Sequence, residues 1–409
     1  MKLVNDIKKS NFMSIFISYF FMTFGNRIGQ FGILFFIWFS LKDAAIIGMM
    51  FLIQTTAKAS SGFIFNILSR WFKTSTLFSA SFIIRMINYF LFILYFSFLN
   101  NWFILTLLLV VHSLVESFVE PVIYSTISNK IPEENYNKYN SLVSLIDNIS
   151  LFVSPVIGSL LITICNNKIH PLLLVVSLLF FLGYIFIFNK RLFFEHNEKI
   201  SKIPFSKGLK LIIFDKTIVY LLITFMIFNL FMFPLLSIIF PSYIILENNL
   251  GAGYVAYFEI LFSSGLIITS ALQVFSSSSP FKAKVMIIVS FILGGIGLLW
   301  LSIIPWVILS GIGSFIIGVC LSMLRINNTT FMQHYIDKKI QKDFFAIRSS
   351  ILLSVAPISS AIVSITIEYF GSKIIMLIGG MVLLLLAISL YPVLFLNLTK
   401  KRSIYTTNK

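Results

Sequence analysis

The chain has 409 residues, 58% of them hydrophobic and 11% charged, with a formal net charge of +16 and a mean hydropathy of +0.96. A soluble domain cannot hide that much apolar surface, because accessible surface grows too steeply with size. The composition therefore excludes a soluble protein, and loops facing anionic lipid headgroups account for the basic excess without nucleic acid as a partner.

Hydrophobic runs of bilayer thickness recur along nearly the whole chain. About 20 apolar helical residues cross a hydrocarbon core of roughly 30 Å. Inside lipid, each backbone N–H and C=O must be paired within its own segment, which favours helices. Continuous runs such as Leu172–Phe188 and Ile374–Leu396 are too long for the strands of a membrane barrel. The pattern predicts an all-α integral membrane protein with twelve helices, at 12–40, 44–69, 75–99, 101–128, 138–165, 170–189, 217–243, 251–275, 285–303, 305–332, 343–369 and 374–397. The first run is too long for the core of a cleaved signal peptide, and no small-residue cleavage site follows it.

Lys and Arg concentrate in alternate connections. They cluster in the N-terminal tail, around Arg70, Lys130, Lys190–Lys216, Lys282 and Lys338, and in the C-terminal tail. The intervening loops hold Lys42, Lys168 and Lys373. By the positive-inside rule both termini are expected in the cytoplasm, which an odd number of spans would not allow. The longest polar interruption, Asn189–Lys216, divides the spans six and six. The expected organisation is a first bundle at 1–189, a basic cytoplasmic linker at 190–216, a second bundle at 217–399 and a tail at 400–409. Cys165 and Cys320 are far apart in apolar surroundings, so no disulfide framework is expected. No zinc spacing, phosphate-binding loop or dinucleotide fingerprint is present, and no nucleophile–base–orienter set converges. Neither a metal, a cofactor nor an enzymatic activity is expected.

A repeat links the halves. Ile131-Pro132-Glu133-Glu134 leads into Tyr139-Asn140-Ser141-Leu142 and on to Ser154-Pro155. In the second half, Ile336-Asp337-Lys338-Lys339 leads into Phe344-Phe345-Ala346-Ile347 and on to Ala356-Pro357. Such parallel six-helix repeats are the plan of major facilitator transporters. On these motifs the chain resembles that superfamily, and more narrowly its macrolide-efflux and enterobactin-exporter branch. The narrower likeness is carried by Glu120-Pro121-Val122-Ile123, the Ile131–Glu134 loop, Asn140, Ser154-Pro155-Val156-Ile157-Gly158-Ser159, Asp343–Ser350 with Pro357, and Phe233-Pro234 with Phe240-Pro241. Two positions depart from the family pattern. The signature between the second and third spans has Gly62, Arg70 and Lys73 but no Asp, with Asn66 or Ser69 near its place. The fifth span has Ser154 and Ser159 where the pattern has glycines, and small residues there still permit close helix approach. The resemblance implies two pseudo-symmetric six-helix bundles. It also implies gating and helix-packing roles for Gly62, Arg70, Lys73, Asn140, Ser154, Pro155, Gly158 and Pro357. The implied activity is efflux of a small amphipathic compound, such as a macrolide-like antibiotic, a siderophore or a peptide antibiotic. Nutrient import on the same fold and a transport-inactive immunity or sensor protein are the alternatives.

Ionisable groups at membrane depth cost about 2.5–3.5 kcal/mol each on insertion scales, so each needs a reason. Glu116 and Glu120 are spaced four apart, as are His112 and Glu116, so a continuous helix places all three on one stripe. Like charges in low dielectric suit a proton carrier. Glu116, Glu120, His112 and Asp147 are therefore the proton-coupling candidates. The bland alternative pairs Glu116 with Arg85 or Lys58, Glu120 with a basic residue near the cytoplasmic gate, and Asp147 with Arg27 or Arg325. Arg27, Asn26, Lys58, Arg85, Glu259 and Arg325 are candidates for a central cavity. Most of the 46 phenylalanines are expected to be packing and lipid-facing bulk, with Phe31, Phe35, Phe228 and Phe231 as candidate cavity rings. The expected partners are the bilayer, the amphipathic substrate and protons, in a monomer in a bacterial cell membrane.

Overall fold

The structure is a computed structural model that describes residues 12–41, 44–98, 101–116, 118–165, 168–188, 214–250 and 252–395. Most of the expected linker at 190–216, up to residue 213, and the tail at 400–409 lie outside the described residues. In chain order the helices are α1 (Phe12–Leu41), α2 (Ala44–Leu68), α3 (Thr74–Phe98), α4 (Trp102–Glu116), α5 (Val119–Lys130), α6 (Tyr136–Ile164), α7 (His170–Phe188), α8 (Lys216–Met232), α9 (Ala252–Gln273), α10 (Pro280–Ile303), α11 (Val307–Tyr335), α12 (Gln341–Leu353) and α13 (Val355–Phe395). No strand occurs among the described residues. Nine helical stretches among them are long and apolar enough to cross a bilayer.

Local chemistry sets the ends and breaks. Asp215 caps α8 by accepting hydrogen bonds from the Thr217 and Ile218 amides. Ser279 caps α10 by accepting from the Lys282 amide, and Pro280 takes the first-turn position where its missing N–H costs nothing. The expected span at 101–128 is covered by α4 and α5, on either side of residue 117, which lies outside the described residues. Pro121 falls in the first turn of α5, where backbone donors lack intrahelical partners anyway. After α8, Pro234 and Pro241 widen the helix into π turns at Leu235–Ile239 and Ser242–Glu247. The helical path thus runs past the expected end at 243. The expected gap between 369 and 374 contracts to Gly371, whose φ of 78° lies in the left-handed region that glycine tolerates. Helix resumes at once because the Glu247 carboxylate accepts from the Ser372 amide and from Ser372 Oγ.

The chain forms two compact units that are not contiguous in sequence. Unit 1 comprises Met1–Gly208, Ser270–Ser277 and Met332–Pro357, and unit 2 the remainder, Leu209–Thr269, Ser278–Phe331 and Ile358–Lys409. Unit 1 therefore takes up two short segments of the expected second half. In unit 1, α3 and α7 build an aromatic interior in which Phe78, Phe82, Tyr89, Phe92 and Phe180 are fully buried. The segment Met332–Pro357 is held there by polar contacts. A Cβ on Gly62 of α2 would lie 2.0 Å from the Ala346 carbonyl oxygen of α12, and the Gly62 amide donates to Ser350 Oγ at 3.0 Å. Only glycine allows that approach. In unit 2, Phe225 and Phe228 of α8 meet Phe291 of α10 edge-on, and Phe240 meets Phe258 of α9. Glycines bring its helices together backbone to backbone: a Cβ on Gly318 of α11 would lie 2.0 Å from the Phe262 carbonyl oxygen of α9.

Candidate functional site

Unit 1 contains a cavity of about 330 Å³ bounded by α1, α2, α4 and α6. Its polar lining is Arg27, Gln30, Gln54, Thr55, Lys58, His112 and Glu116, and its apolar lining Phe31, Ile33, Ile37, Met50, Leu109 and Leu151. Helical spacing explains the arrangement. Asn26 and Gln30 are four apart on α1, as are His112 and Glu116 on α4, so each pair shares a face.

Glu116 is the hub. Its Oε1 accepts from Lys58 Nζ at 2.9 Å and Asn26 Nδ2 at 3.1 Å, and its Oε2 accepts from Gln30 Nε2 at 3.0 Å. Three helices thereby converge on one carboxylate, and the Lys58 contact is a charge-assisted bond of the stronger kind. Arg27 and Arg85 also lie within electrostatic reach of Glu116. Behind the polar lining, Arg85 of α3 is 2% exposed, with its guanidinium carbon 5.6 Å from the centroid of the Phe180 ring. Tyr89, one turn on, stacks on Phe180 and meets the His112 ring edge-on at 5.3 Å. Four groups here carry buried polar atoms with no hydrogen-bond partner: Arg85 at Nε and Nη2, Tyr89 at its hydroxyl, His112 at both ring nitrogens and Asn26 at Oδ1.

The two carboxylates of the expected stripe have different partners. Glu116 lies in the cavity wall, while Glu120 on α5 accepts from Ser349 Oγ at 3.2 Å. His112 and Glu116 stay together because both belong to α4. Asp147 is buried on α6 and accepts from the Tyr19 hydroxyl at 2.6 Å. Phe31 lines the cavity and occupies the space beside Gly158, where a Cβ would lie 2.7 Å from its ring. The side chains of Phe35 and Pro155 lie outside the described residues. Phe228 and Phe231 are buried in unit 2, Phe228 against Phe291 and Phe231 against Gly379. Glu259 is exposed on α9, and Arg325 is half-buried in the unit 2 part of α11. Gln30, Gln54, Thr55 and Tyr89 complete the site and were not expected from sequence. The Asn26–Gln30 spacing beside Arg27 was the signal available for Gln30. Among the described residues, no three His, Cys, Asp or Glu side chains gather as metal ligands would.

Of the other positions implied by the family pattern, Asn140 joins a polar seam of unit 1. Asn140 Nδ2 donates to Gln333 Oε1 at 2.7 Å, Gln333 Nε2 to the Tyr124 carbonyl at 3.0 Å, and Gln341 Nε2 to the Gln333 carbonyl at 2.7 Å. Asn66, near the place of the absent Asp, donates from Nδ2 to the Asp343 carbonyl at 3.4 Å. Arg70 and Lys73 are exposed, Ser154 is buried and Pro357 is half-buried. At the rim, Glu133 is 3.4 Å from Lys338 and 3.6 Å from His334.

Comparison with known proteins follows the same lines. The family model described as Major Facilitator Superfamily matches residues 15–360. No curated protein matches the chain by sequence. A bacterial homologue of the iron transporter ferroportin, solved outward-facing with soaked iron, superposes with a TM-score of 0.75 at 14% identity, covering 93% of this chain and 98% of that one. The E. coli fucose:proton symporter superposes with a TM-score of 0.70 at 12% identity, covering 93% and 99%. At these identities the likeness shows the fold.

Proposed function

The chain belongs to the major facilitator superfamily of membrane transporters, and on that premise we propose that it is a secondary active exporter of a small amphipathic compound, driven by proton antiport. It has twelve spans in two six-helix bundles, with both termini in the cytoplasm of a bacterial cell, and it works as a monomer. The alternation of basic loops along the sequence supports the orientation. The α6 element around Ser154-Pro155 and Gly158 supports the export branch.

One observation carries the reading. Glu116 sits in the wall of a mostly apolar cavity, bonded to Lys58, Asn26 and Gln30 from two other helices. A proton on Glu116 removes the charge that holds Lys58, so protonation alters contacts between α1, α2 and α4 at once. A substrate in the same cavity feels that change, and alternating access couples the two fluxes. The polar seam is the element that opens and closes, because its bonds join neutral groups whose individual net worth is about 0.5–1.5 kcal/mol.

The test is accumulation of a panel of labelled amphipathic compounds in cells with and without the protein, before and after a protonophore. Lower accumulation, abolished by the protonophore, is the expected result. Glu116→Gln is expected to cut proton-dependent export more than tenfold while leaving the amount of protein in the membrane unchanged. Higher accumulation that depends on the protein would make it an importer, and no effect on any compound would favour a sensor or immunity role.

A further inference from the structure

We infer that the unit 1 cavity binds an organic anion, a carboxylate-bearing molecule whose charge meets Arg27 and His112 and whose apolar body lies along Phe31, Ile37 and Met50. The inference deepens the transport reading above and rests on it for its physiological meaning.

The first argument is charge balance. Lys58 and Glu116 are paired at 2.9 Å, so they neutralise one another. Arg27 lines the same cavity, and Arg85 is buried just behind it within electrostatic reach of both Glu116 and His112. Three cations therefore share one carboxylate. Excess positive charge at membrane depth is costly, and an anion from solution offsets it where a second cation would add to it.

The second argument is unmet hydrogen bonding. His112 is 1% exposed, lines the cavity, and has no partner at either ring nitrogen. A neutral imidazole always has one N–H to donate, and a buried donor without an acceptor is unfavourable. A carboxylate oxygen is an acceptor of the right charge. The edge-on Tyr89 ring holds the imidazole in place from behind. Guanidinium is also the side chain best matched to the two oxygens of a carboxylate.

The third argument is shape. The lining combines the charged groups with the apolar side chains of Phe31, Ile33, Ile37, Met50, Leu109 and Leu151, so it offers both charge and apolar surface to one ligand. A cavity of about 330 Å³ is at the small end for ligand sites, so the ligand is compact. An inorganic anion satisfies the charge but leaves the apolar lining uncovered. A cationic amphiphile covers that lining but meets repulsion from Arg27.

The test uses the full-length protein in nanodiscs of zwitterionic lipid and measures binding of 2-naphthoate, its neutral amide 2-naphthamide, and 2-naphthylmethylammonium by titration calorimetry. Naphthoate is expected to bind at least tenfold more tightly than the amide, and the ammonium compound not at all. Arg27→Gln is expected to remove that tenfold preference. Equal binding of all three compounds, or preference for the ammonium compound, overturns the inference on the unaltered protein, whatever the variant does. Tighter protection of the protein against heat by chloride alone than by naphthoate also overturns it. Adding anionic lipid to the nanodiscs is expected to leave naphthoate affinity unchanged. A loss of affinity would make the lipid headgroup the occupant and sink the inference. Failure here with export intact leaves the transport reading standing, and naphthoate binding without export leaves the site standing and removes the transport reading.

Discussion

In unit 1, buried polar atoms without partners occur beside a cavity that charged residues line, at Asn26, Arg85, Tyr89 and His112, and also elsewhere, among them Ser75, Asn137 and Gln341. In unit 2 the corresponding atoms are scattered, at Tyr243, Ser322 and Asn328, and its helices meet through aromatic rings and glycines. The contrast is one of purpose. Packing through Gly265, Gly318, Gly295 and Gly380 lets backbones touch, which is how helices associate in lipid without a hydrophobic driving force. Unmet polar groups do the opposite: they weaken the empty protein and reward a ligand. Chemistry is therefore expected to respond to substitutions around Glu116, and stability to substitutions around Gly318.

The largest effect on stability is expected in unit 2. Gly318→Val places a side chain where the Phe262 carbonyl now sits, and overpacking of this kind costs about 1–3 kcal/mol or more. Thermal unfolding of the purified protein should fall accordingly, while naphthoate affinity of the folded fraction stays unchanged. A normal melting temperature would show that α9 and α11 do not need this approach. A smaller stability effect and a larger functional one are expected at the Lys58–Glu116 pair. In a double-mutant cycle with Lys58→Met and Glu116→Gln, a coupling of about 0.5–3 kcal/mol is expected, because residues sharing a bonded charge network are not additive. Additive effects would mean that Glu116 is held by Asn26 and Gln30 alone. Next is the seam. Asn140→Ala removes one hydrogen bond to Gln333, and a loss of about 1 kcal/mol is expected from thermal melts. No change would mean that water replaces the amide and that the seam is already loose there.

The charged part of the cavity was legible in the sequence and the contrast between the units was not, for physical reasons that mark where legibility ends. Membrane helices announce themselves by run length, because lipid demands an uninterrupted apolar segment. The charged residues that line the cavity stood out for the complementary reason, that a charge at such depth is expensive. Arg27, Lys58, His112 and Glu116 were all found that way and do come together. Glu120 was not separable from them, because spacing alone does not show that its carboxylate meets Ser349 and not the cavity. Phe228 and Phe231 went to the core of unit 2 because a ring on an apolar helix carries no mark of which side it faces. The neutral side chains Gln54 and Thr55 were silent for a similar reason: a polar uncharged residue is cheap enough in a membrane helix to need no function.

The smallest effect is expected at the rim of unit 1, where the contrast with the cavity is sharpest. Lys338 is 3.4 Å from Glu133, and both side chains are largely exposed, at 47% and 59%. Its ammonium also lies 6.0 Å from the centroid of the Tyr136 ring. Partial burial pulls the Lys338 pKa down, but hydrogen bonding to Tyr136 and to Glu133 outweighs it, and the net shift is upward. A raised lysine pKa contributes stability that is fully present below the ordinary lysine range and is lost only as pH rises through the shifted value. At neutral pH the contribution is therefore constant. Exposed pairs are worth about 0–1 kcal/mol, and at 1 M salt the screening length falls to about 3 Å. Lys338→Met should lower stability by less than about 1 kcal/mol in dilute buffer and by nothing measurable in 1 M salt, as read by thermal melting at pH 7. The same salt should barely touch the Lys58–Glu116 coupling, since the carboxylate of that pair is 15% exposed and low-dielectric surroundings resist screening. A coupling at Glu116 that vanished in salt alongside the Lys338 effect would place both pairs in water and dissolve the distinction between cavity and rim.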